Sequence, residues 1–363
     1  MCLAGALLLA FAYEVYFYCR YMRMVNKPQP TDATQQPPVS VIVCARNEGY
    51  NLQNYVQSLL TQDYPEYEVI LVNDGSEDNT QEIIEEYVLA DSRAKTTFVP
   101  KGARVRSTKK LGLTLAIKAA KYDYLLLTDA DCRPESKDWI SSMMAGFASG
   151  KAAIVLGYGA YFNEPTLLNE VIQYETLFNG LHYLGAARTG KPYMGVGRNL
   201  AYKKELFLSH GGFSDQMTEI AGDDDLFVNR VATKDNTTIV TAKESITWSL
   251  PKQNWKAWWQ QKRRHLSVSP AYRPITKHHL VHEPVMRGLF YGLAIALMVI
   301  GEPLSMCLAY ALLLVRLTMQ LIVINYGAHR LGQPKVGLQI LWYDMALPLV
   351  TLIAMVGKKK RKW

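Results

Sequence analysis

Tyr124-Leu125-Leu126-Leu127-Thr128-Asp129-Ala130-Asp131-Cys132 is an apolar run that ends in two aspartates two positions apart. The run reads as a buried strand. Alternate residues of an extended segment point the same way, so Asp129 and Asp131 can converge on one hard cation at the strand end. That is a way to hold a metal-bridged diphosphate. A second acidic stretch, Gly222-Asp223-Asp224-Asp225, follows about ninety residues later.

Upstream, short β-branched runs alternate with helical stretches. Strands are predicted at Val39 to Cys44, Glu68 to Asn73, Thr96 to Val99 and Tyr124 to Thr128, and helices at 50–61, 79–90 (capped near Asp78) and 111–120. Such alternation demands right-handed crossovers and a mostly parallel, Rossmann-like α/β sheet with helices on its faces. Ligands of such sheets bind at the carboxyl ends of the strands. Three polar clusters fall there: Ala45-Arg46-Asn47-Glu48, Asn73-Asp74-Gly75-Ser76 and Asp129-Ala130-Asp131. Alone, Asp74-Gly75-Ser76 reads equally well as a tight turn with an Asp-capped helix start. One strand from an Asp-x-Asp pair, it reads better as a nucleotide contact.

A chain of 363 residues with 49% hydrophobic content can bury a large core and is too apolar for disorder. Its formal charge is +8, with basic residues at the ends of apolar segments and in one loop (Lys101, Arg104, Arg106, Lys109, Lys110). Phosphate or a membrane surface fits that distribution better than nucleic acid, and no nucleic-acid partner is expected. Five scattered cysteines without a CxxC pair point to a reducing compartment.

Hydropathy divides the chain. Residues 1–27 read as an uncleaved N-terminal membrane anchor: the apolar run 1–19 is broken only by Glu14 and followed at once by Arg20, Arg23 and Lys27, which puts the next domain in the cytoplasm. Residues 28–38, with four prolines, form a linker, and 39–284 form the soluble α/β domain. Residues 285–363 hold C-terminal membrane helices: a hairpin over 287–326 broken at Glu302-Pro303, a further segment over 338–356 carrying Asp344 and Pro348, and a tail with Lys358-Lys359-Lys360-Arg361-Lys362. If all three C-terminal segments crossed, the basic tail would end outside, against the positive-inside tendency. One segment is therefore expected to be interfacial or re-entrant.

VSVIVCARNEGYNLQNYVQSLLTQDYPEYEVILVNDGSEDNT (residues 39–80) resembles the opening of family 2 glycosyltransferases of the GT-A fold. The likeness continues through TDADC, GVGRNLAYKKELF, GGF, GDDDLFVNR and Gln261-x-x-Arg264, covering roughly 39–268. The resemblance implies that Asp74 and the Ala45, Arg46, Asn47, Glu48 loop hold the base and ribose of a nucleotide sugar; a carboxylate suits imide and hydroxyl donors. Asp129 would lie near ribose and metal, and Asp131 would ligate Mg2+ or Mn2+ bridging the phosphates, neutralising charge as the nucleoside diphosphate departs. Lys109 or Lys110 would turn onto the diphosphate, unless the basic run is only a solvated face.

The same resemblance places a general base in the acidic stretch. Aligning Asn229-Arg230 with the family's downstream arginine selects Asp224, the favoured choice, whereas matching Asp-Leu selects Asp223. Three adjacent carboxylates raise at least one pKa by repulsion, which suits a base and equally a capped helix start. Gly197, Arg198 and Asn199 would line the sugar or diphosphate. On a helix Gln261, Arg264 and His265 share a face beside Trp258, offering a guanidinium fork for phosphate and an indole for sugar stacking. His265 stands where the family usually has tryptophan, and a helix lying in the membrane interface is the competing reading.

The implied activity is inverting transfer of a sugar, in one displacement, from a nucleotide-diphosphate sugar to a lipid-linked or polysaccharide acceptor. It would be carried out by a multi-pass protein of the cell inner membrane. Alternatives are a processive polysaccharide synthase, a non-catalytic nucleotide-sugar-binding assembly subunit, and a phosphotransferase on a similar sheet.

Overall fold

Val39, Val41, Val43 and Ala45 enter one hydrophobic core while Ile42 enters another, so the strand they form is apolar on both faces. The next two strands behave alike: Val69 and Leu71 face one core and Ile70 and Val72 the other, as do Leu126 against Leu125 and Leu127. A run buried on both faces is the mark of a central parallel strand. The computed structural model describes residues 2–26, 36–100, 102–103, 105–219 and 221–356. Linker positions 28–35, Lys27, Lys101, Arg104 and the basic tail 358–362 lie outside the described residues.

Ten strands are formed among the described residues: β1 (Val39–Ala45), β2 (Tyr67–Asn73), β3 (Ala94–Phe98), β4 (Tyr124–Asp129), β5 (Cys132–Pro134), β6 (Ile154–Leu156), β7 (Gly159–Tyr161), β8 (Leu200–Lys203), β9 (Thr237–Ile239) and β10 (Thr247–Ser249). Seven of them make one sheet in the order β3-β2-β1-β4-β8-β6-β9, and β5-β10-β7 make a small second sheet. In the large sheet β8 alone runs against its neighbours β4 and β6; the other pairings are parallel.

The first helix, α1 (Cys2–Asn26), precedes the sheet. Around the sheet lie α2 (Gly49–Leu60), α3 (Thr80–Ala90), α4 (Thr108–Ala119), α5 (Trp139–Met144), α6 (Leu167–Arg188), α7 (Lys204–Ser209) and α8 (Asp225–Val231). Asp78 begins α3 as expected, its Oδ1 accepting from the Thr80 N–H at 3.1 Å, and it also starts α2, since Oδ2 accepts from the Gly49 N–H at 3.1 Å. The helix expected at 111–120 begins at Thr108, because Ser107 Oγ accepts from the Lys110 N–H and caps it.

After α9 (Trp255–Leu266) come α10 (Pro274–Ile300), α11 (Pro303–Arg330) and α12 (Ile340–Val356). Helices α1, α10 and α11 are long and apolar enough to cross a membrane, whereas α12 is shorter. The domain boundary expected at 284 falls inside α10: Pro284 interrupts no helix here, and the helix is continuous from Pro274. The break at Glu302-Pro303 is the turn between α10 and α11.

An ion network joins these four helices. Arg316 of α11 meets Glu14 of α1 at 2.9 Å and Asp344 of α12 at 2.8 Å, and Arg287 of α10 meets Asp344 at 2.9 Å and its own helix's Glu283. All five side chains are buried. Helix α6 carries the sheet domain onto this bundle. Leu181 packs so closely on Gly327 of α11 that a Cβ there would lie 2.6 Å from its Cδ2, and Phe178 meets Tyr21 of α1 edge to face.

Candidate active site

The carboxyl ends of β1, β2 and β4 open on one side of the sheet, and their loops are tied to one another. The Ala45 carbonyl accepts from the Asp74 N–H at 2.8 Å. Asn47 holds a left-handed φ of 56°, a conformation asparagine tolerates, and bonds the β2 loop twice: its N–H donates to Ser76 Oγ (3.0 Å) and its Oδ1 accepts from the Glu77 N–H (2.8 Å). The Glu48 N–H donates to Thr80 Oγ1 at 2.9 Å. Asp74 is buried; its Oδ2 accepts from Thr108 Oγ1 at 3.1 Å, and Thr108 in turn accepts from Arg46 at 3.5 Å. Its other oxygen, Oδ1, is buried and has no partner. Burial pushes the Asp74 carboxyl above its usual range, partly offset by Thr108. A buried acceptor without a donor is costly, so this oxygen has capacity to accept a further N–H or O–H.

The two acidic motifs meet through Lys109. Its Nζ lies 3.0 Å from Asp129 Oδ1 and 3.1 Å from Asp223 Oδ2. Burial works to raise the Asp129 pKa, but the Lys109 charge and hydrogen bond outweigh it and hold the carboxyl below its ordinary value. Arg198 lies over the Tyr161 ring at 4.2 Å and donates to the Ala160 carbonyl at 2.9 Å. Burial opposes its charge, but the surrounding Tyr161, Cys132, Asp131 and Asp129 overcome this and raise its pKa. The Tyr161 hydroxyl accepts from Gln261 Nε2 at 3.3 Å, which joins α9 to the same cluster.

Asp223 and Asp224, inseparable in sequence, differ in surroundings. Asp223 faces Lys109. Asp224 caps α8: its Oδ1 accepts from the Asp225 N–H at 2.8 Å and its Oδ2 from the Gly197 N–H at 2.6 Å. Gly197 thus acts through its backbone, and a Cβ there would come within 3.3 Å of that oxygen. Asp225 accepts from the Tyr272 hydroxyl at 2.5 Å. Burial, then repulsion from the adjacent aspartate, lifts both Asp224 and Asp225 above the usual carboxylate range.

Three expected site residues face elsewhere. Asn199 is fully buried, with Oδ1 accepting from Trp139 Nε1 at 3.1 Å and Nδ2 donating to the Tyr158 and Ser245 carbonyls at 2.9 and 2.6 Å. Its amide is spent on α5 and on the segments that lead into β7 and β10, so it cannot also serve a sugar. Trp258 is buried against Leu168 and Ile172 of α6 and Tyr161, which makes it core and not a stacking platform. Lys110, unlike Lys109, faces away from the aspartates and donates to the Gln216, Glu219 and Ala221 carbonyls. By contrast Arg264 and His265 are exposed on α9. Tyr161, Thr108 and Tyr272 drew no attention in the sequence: each lies outside any motif, and only folding brings it to an aspartate or arginine.

Among the described residues no three carboxylate, imidazole or thiolate groups gather to hold a metal by themselves. The donors at the end of β4 are carboxylate oxygens, which suit Mg2+ or Mn2+, cations that take one or two carboxylates and complete their shell with phosphate oxygens and water. Asp131 and Asp129 fit that partial set.

A mixed, mainly parallel α/β sheet with Asp-x-Asp at the end of its fourth strand and an acidic helix start opposite defines the GT-A class. Residues 40–211, just under half of the chain, match the model of glycosyl transferase family 2, and this segment is a domain of that family. A probable glycosyltransferase YdaM of Bacillus subtilis (strain 168) is 27% identical over 232 residues, 63% of this chain and 54% of that protein. A poly-beta-1,6-N-acetyl-D-glucosamine synthase of Staphylococcus epidermidis is 37% identical over 93 residues, 26% of this chain and 21% of that one. The chain thus spans about half, or less, of the length of these curated relatives. In fold it is similar over 99% of both chains to the mannosyltransferase PcManGT from Pyrobaculum calidifontis, solved with GDP-Man and Mn2+, at a TM-score of 0.64 and 20% identity.

Proposed function

We propose that this protein is a membrane-bound glycosyltransferase that moves one sugar from a nucleotide-diphosphate sugar to a hydroxyl of a lipid-linked or polysaccharide acceptor, with inversion. The observation that carries the reading is Lys109 standing between Asp129 and Asp223 at 3.0 and 3.1 Å, which brings the donor motif and the acidic motif into one site. Asp74 receives a donor group of the nucleoside on its unpartnered Oδ1. Asp131 and Asp129 hold Mg2+ or Mn2+, which neutralises the departing diphosphate. Lys109 and Arg198 add fixed positive charge near that leaving group.

Asp223 is the base in this reading, in place of the Asp224 favoured by alignment. Both oxygens of Asp224 already accept backbone N–H groups, while Asp223 is bound only at the Lys109 side of the site. As the acceptor oxygen bonds to the anomeric carbon, its proton passes to Asp223. The bond from that carbon to the diphosphate oxygen breaks, and its electron pair leaves on the nucleoside diphosphate.

The catalytic domain faces the cytoplasm, α1, α10 and α11 cross, and α12 lies re-entrant or interfacial. That arrangement returns the basic tail to the domain's side and satisfies the positive-inside tendency. The test is incubation of the purified full chain with UDP-GlcNAc, GDP-mannose and UDP-glucose, each with Mn2+, scoring release of nucleoside diphosphate. Release from one donor, lost in Asp131→Asn, is expected. Release that survives Asp131→Asn unchanged, or none from any donor, overturns the reading.

A further inference from the structure

Lys109 and Lys110 are adjacent on the first turn of α4, and the helix sends them about 100° apart. Lys109 faces the aspartates. Lys110 is fully buried, and its Nζ donates to three backbone carbonyls of one loop: Gln216 at 2.7 Å, Glu219 at 3.0 Å and Ala221 at 2.8 Å. An ammonium has three donors and no acceptor, so its capacity is used up on this loop. Burying a charge that way is expensive, and an apolar side chain would fill the space at lower cost.

The loop has one evident purpose: it runs straight into the acidic motif. Ala221 is two residues before Asp223, and between them Gly222 has a φ of +88°, with room for a Cβ denied by Leu226 Cδ1 at 2.6 Å. Little slack therefore separates the clamped carbonyl from the proposed base. On the far side Asp223 is held by Lys109, so neighbouring lysines of one helix turn fix the two ends of the same short segment.

We propose that Lys110 is a positioning residue, whose buried ammonium ties together the Gln216, Glu219 and Ala221 carbonyls and sets where Asp223 stands against Lys109 and Asp129. Its catalytic consequence rests on the function proposed above; its effect on the loop does not. A displacement of about 1 Å at a catalytic group costs on the order of 100-fold in rate. Asp74, Asp129 and Asp131 hold the donor without help from this loop, so donor affinity is untouched.

The experiment compares wild type, Lys110→Met and Lys110→Arg in the purified full chain, by hydrogen–deuterium exchange of peptides across 213–225 and by steady-state kinetics with UDP-GlcNAc and GDP-mannose plus Mn2+. Lys110→Met is expected to speed exchange across 216–225 about tenfold while β1 and β2 keep their protection. It should lower kcat roughly 10- to 100-fold with donor KM within about twofold, and Lys110→Arg should recover part of kcat. Unchanged exchange overturns the clamp, and faster exchange with unchanged kcat overturns the positioning role. Should Lys110→Met fail to fold, Lys110→Arg, which keeps the charge but not the three-point geometry, is read the same two ways. If wild type turns over no donor, the proposed glycosyl transfer is what fails, while exchange still decides whether Lys110 holds the segment bearing Asp223.

Discussion

Asp223, Asp224 and Asp225 show how much a single residue's neighbours decide. Sequence spacing allows two registers for the proposed base, and the two candidates sit differently: Asp224 is a helix cap and Asp223 an ion-pair partner of Lys109. Asp223→Asn is expected to lower kcat by about 100- to 10,000-fold, the usual contribution of a general base. Asp224→Asn keeps an oxygen for one of its two backbone donors and should cost about 1 kcal/mol of stability, as lost caps do, with a far smaller loss of kcat. Side-by-side kinetics and thermal melts check this, and equal kcat losses would return the base to Asp224. Asp225 gives a pH prediction. Burial and the Asp224 charge raise its native pKa, so the folded state binds its proton at a pH where the unfolded chain, near 3.9, does not. Stability from this group therefore falls as pH rises through that window, and the penalty is complete above the native pKa. Asp225→Asn, still able to accept from Tyr272, should raise Tm at pH 8 by roughly 2–4 °C for about 1 kcal/mol, a gain that shrinks to nothing below pH 4.

At the scale of elements, legibility followed burial. β1, β2 and β4 were readable because both faces are apolar, and their carboxyl ends could be matched to polar clusters without knowing any contact. The family resemblance implies the roles of those clusters, and Lys109 physically joins the β4 cluster, through Asp129, to the acidic stretch at Asp223. Three-residue strands such as β6, β7, β9 and β10 are too short to carry a period, and their pairing depends on partners distant in the chain, as Thr247 on Pro134 and on Gly159. The indole of Trp258 looked available on a helical wheel, but only the presence of α6 determines that this face of α9 is core. Lys110 is the same lesson in reverse: a lysine in a basic run reads as solvent-facing until the loop carrying Gln216 and Ala221 folds over it.

For the whole molecule, the ion network between the helices connects α1 to the candidate site. Arg316 bridges Glu14 of α1 and Asp344 of α12, α12 donates from Tyr343 to Glu170 of α6 at 2.9 Å, and its Val350 packs beside Trp258 and Trp259 of α9. The chain's first helix thereby helps set the helix that presents Gln261 and Arg264. Arg316→Leu leaves Glu14 as a buried carboxylate without its cation, a change that typically costs about 3–5 kcal/mol. Asp344 keeps Arg287, so the loss should centre on α1. In detergent the melting temperature of Arg316→Leu should fall by several degrees, and the double variant Glu14→Leu/Arg316→Leu should recover most of it, because no orphan charge remains. A single variant that melts with wild type would mean that water or lipid headgroups solvate Glu14 and that α1 is held by its aromatic contacts with α6 instead.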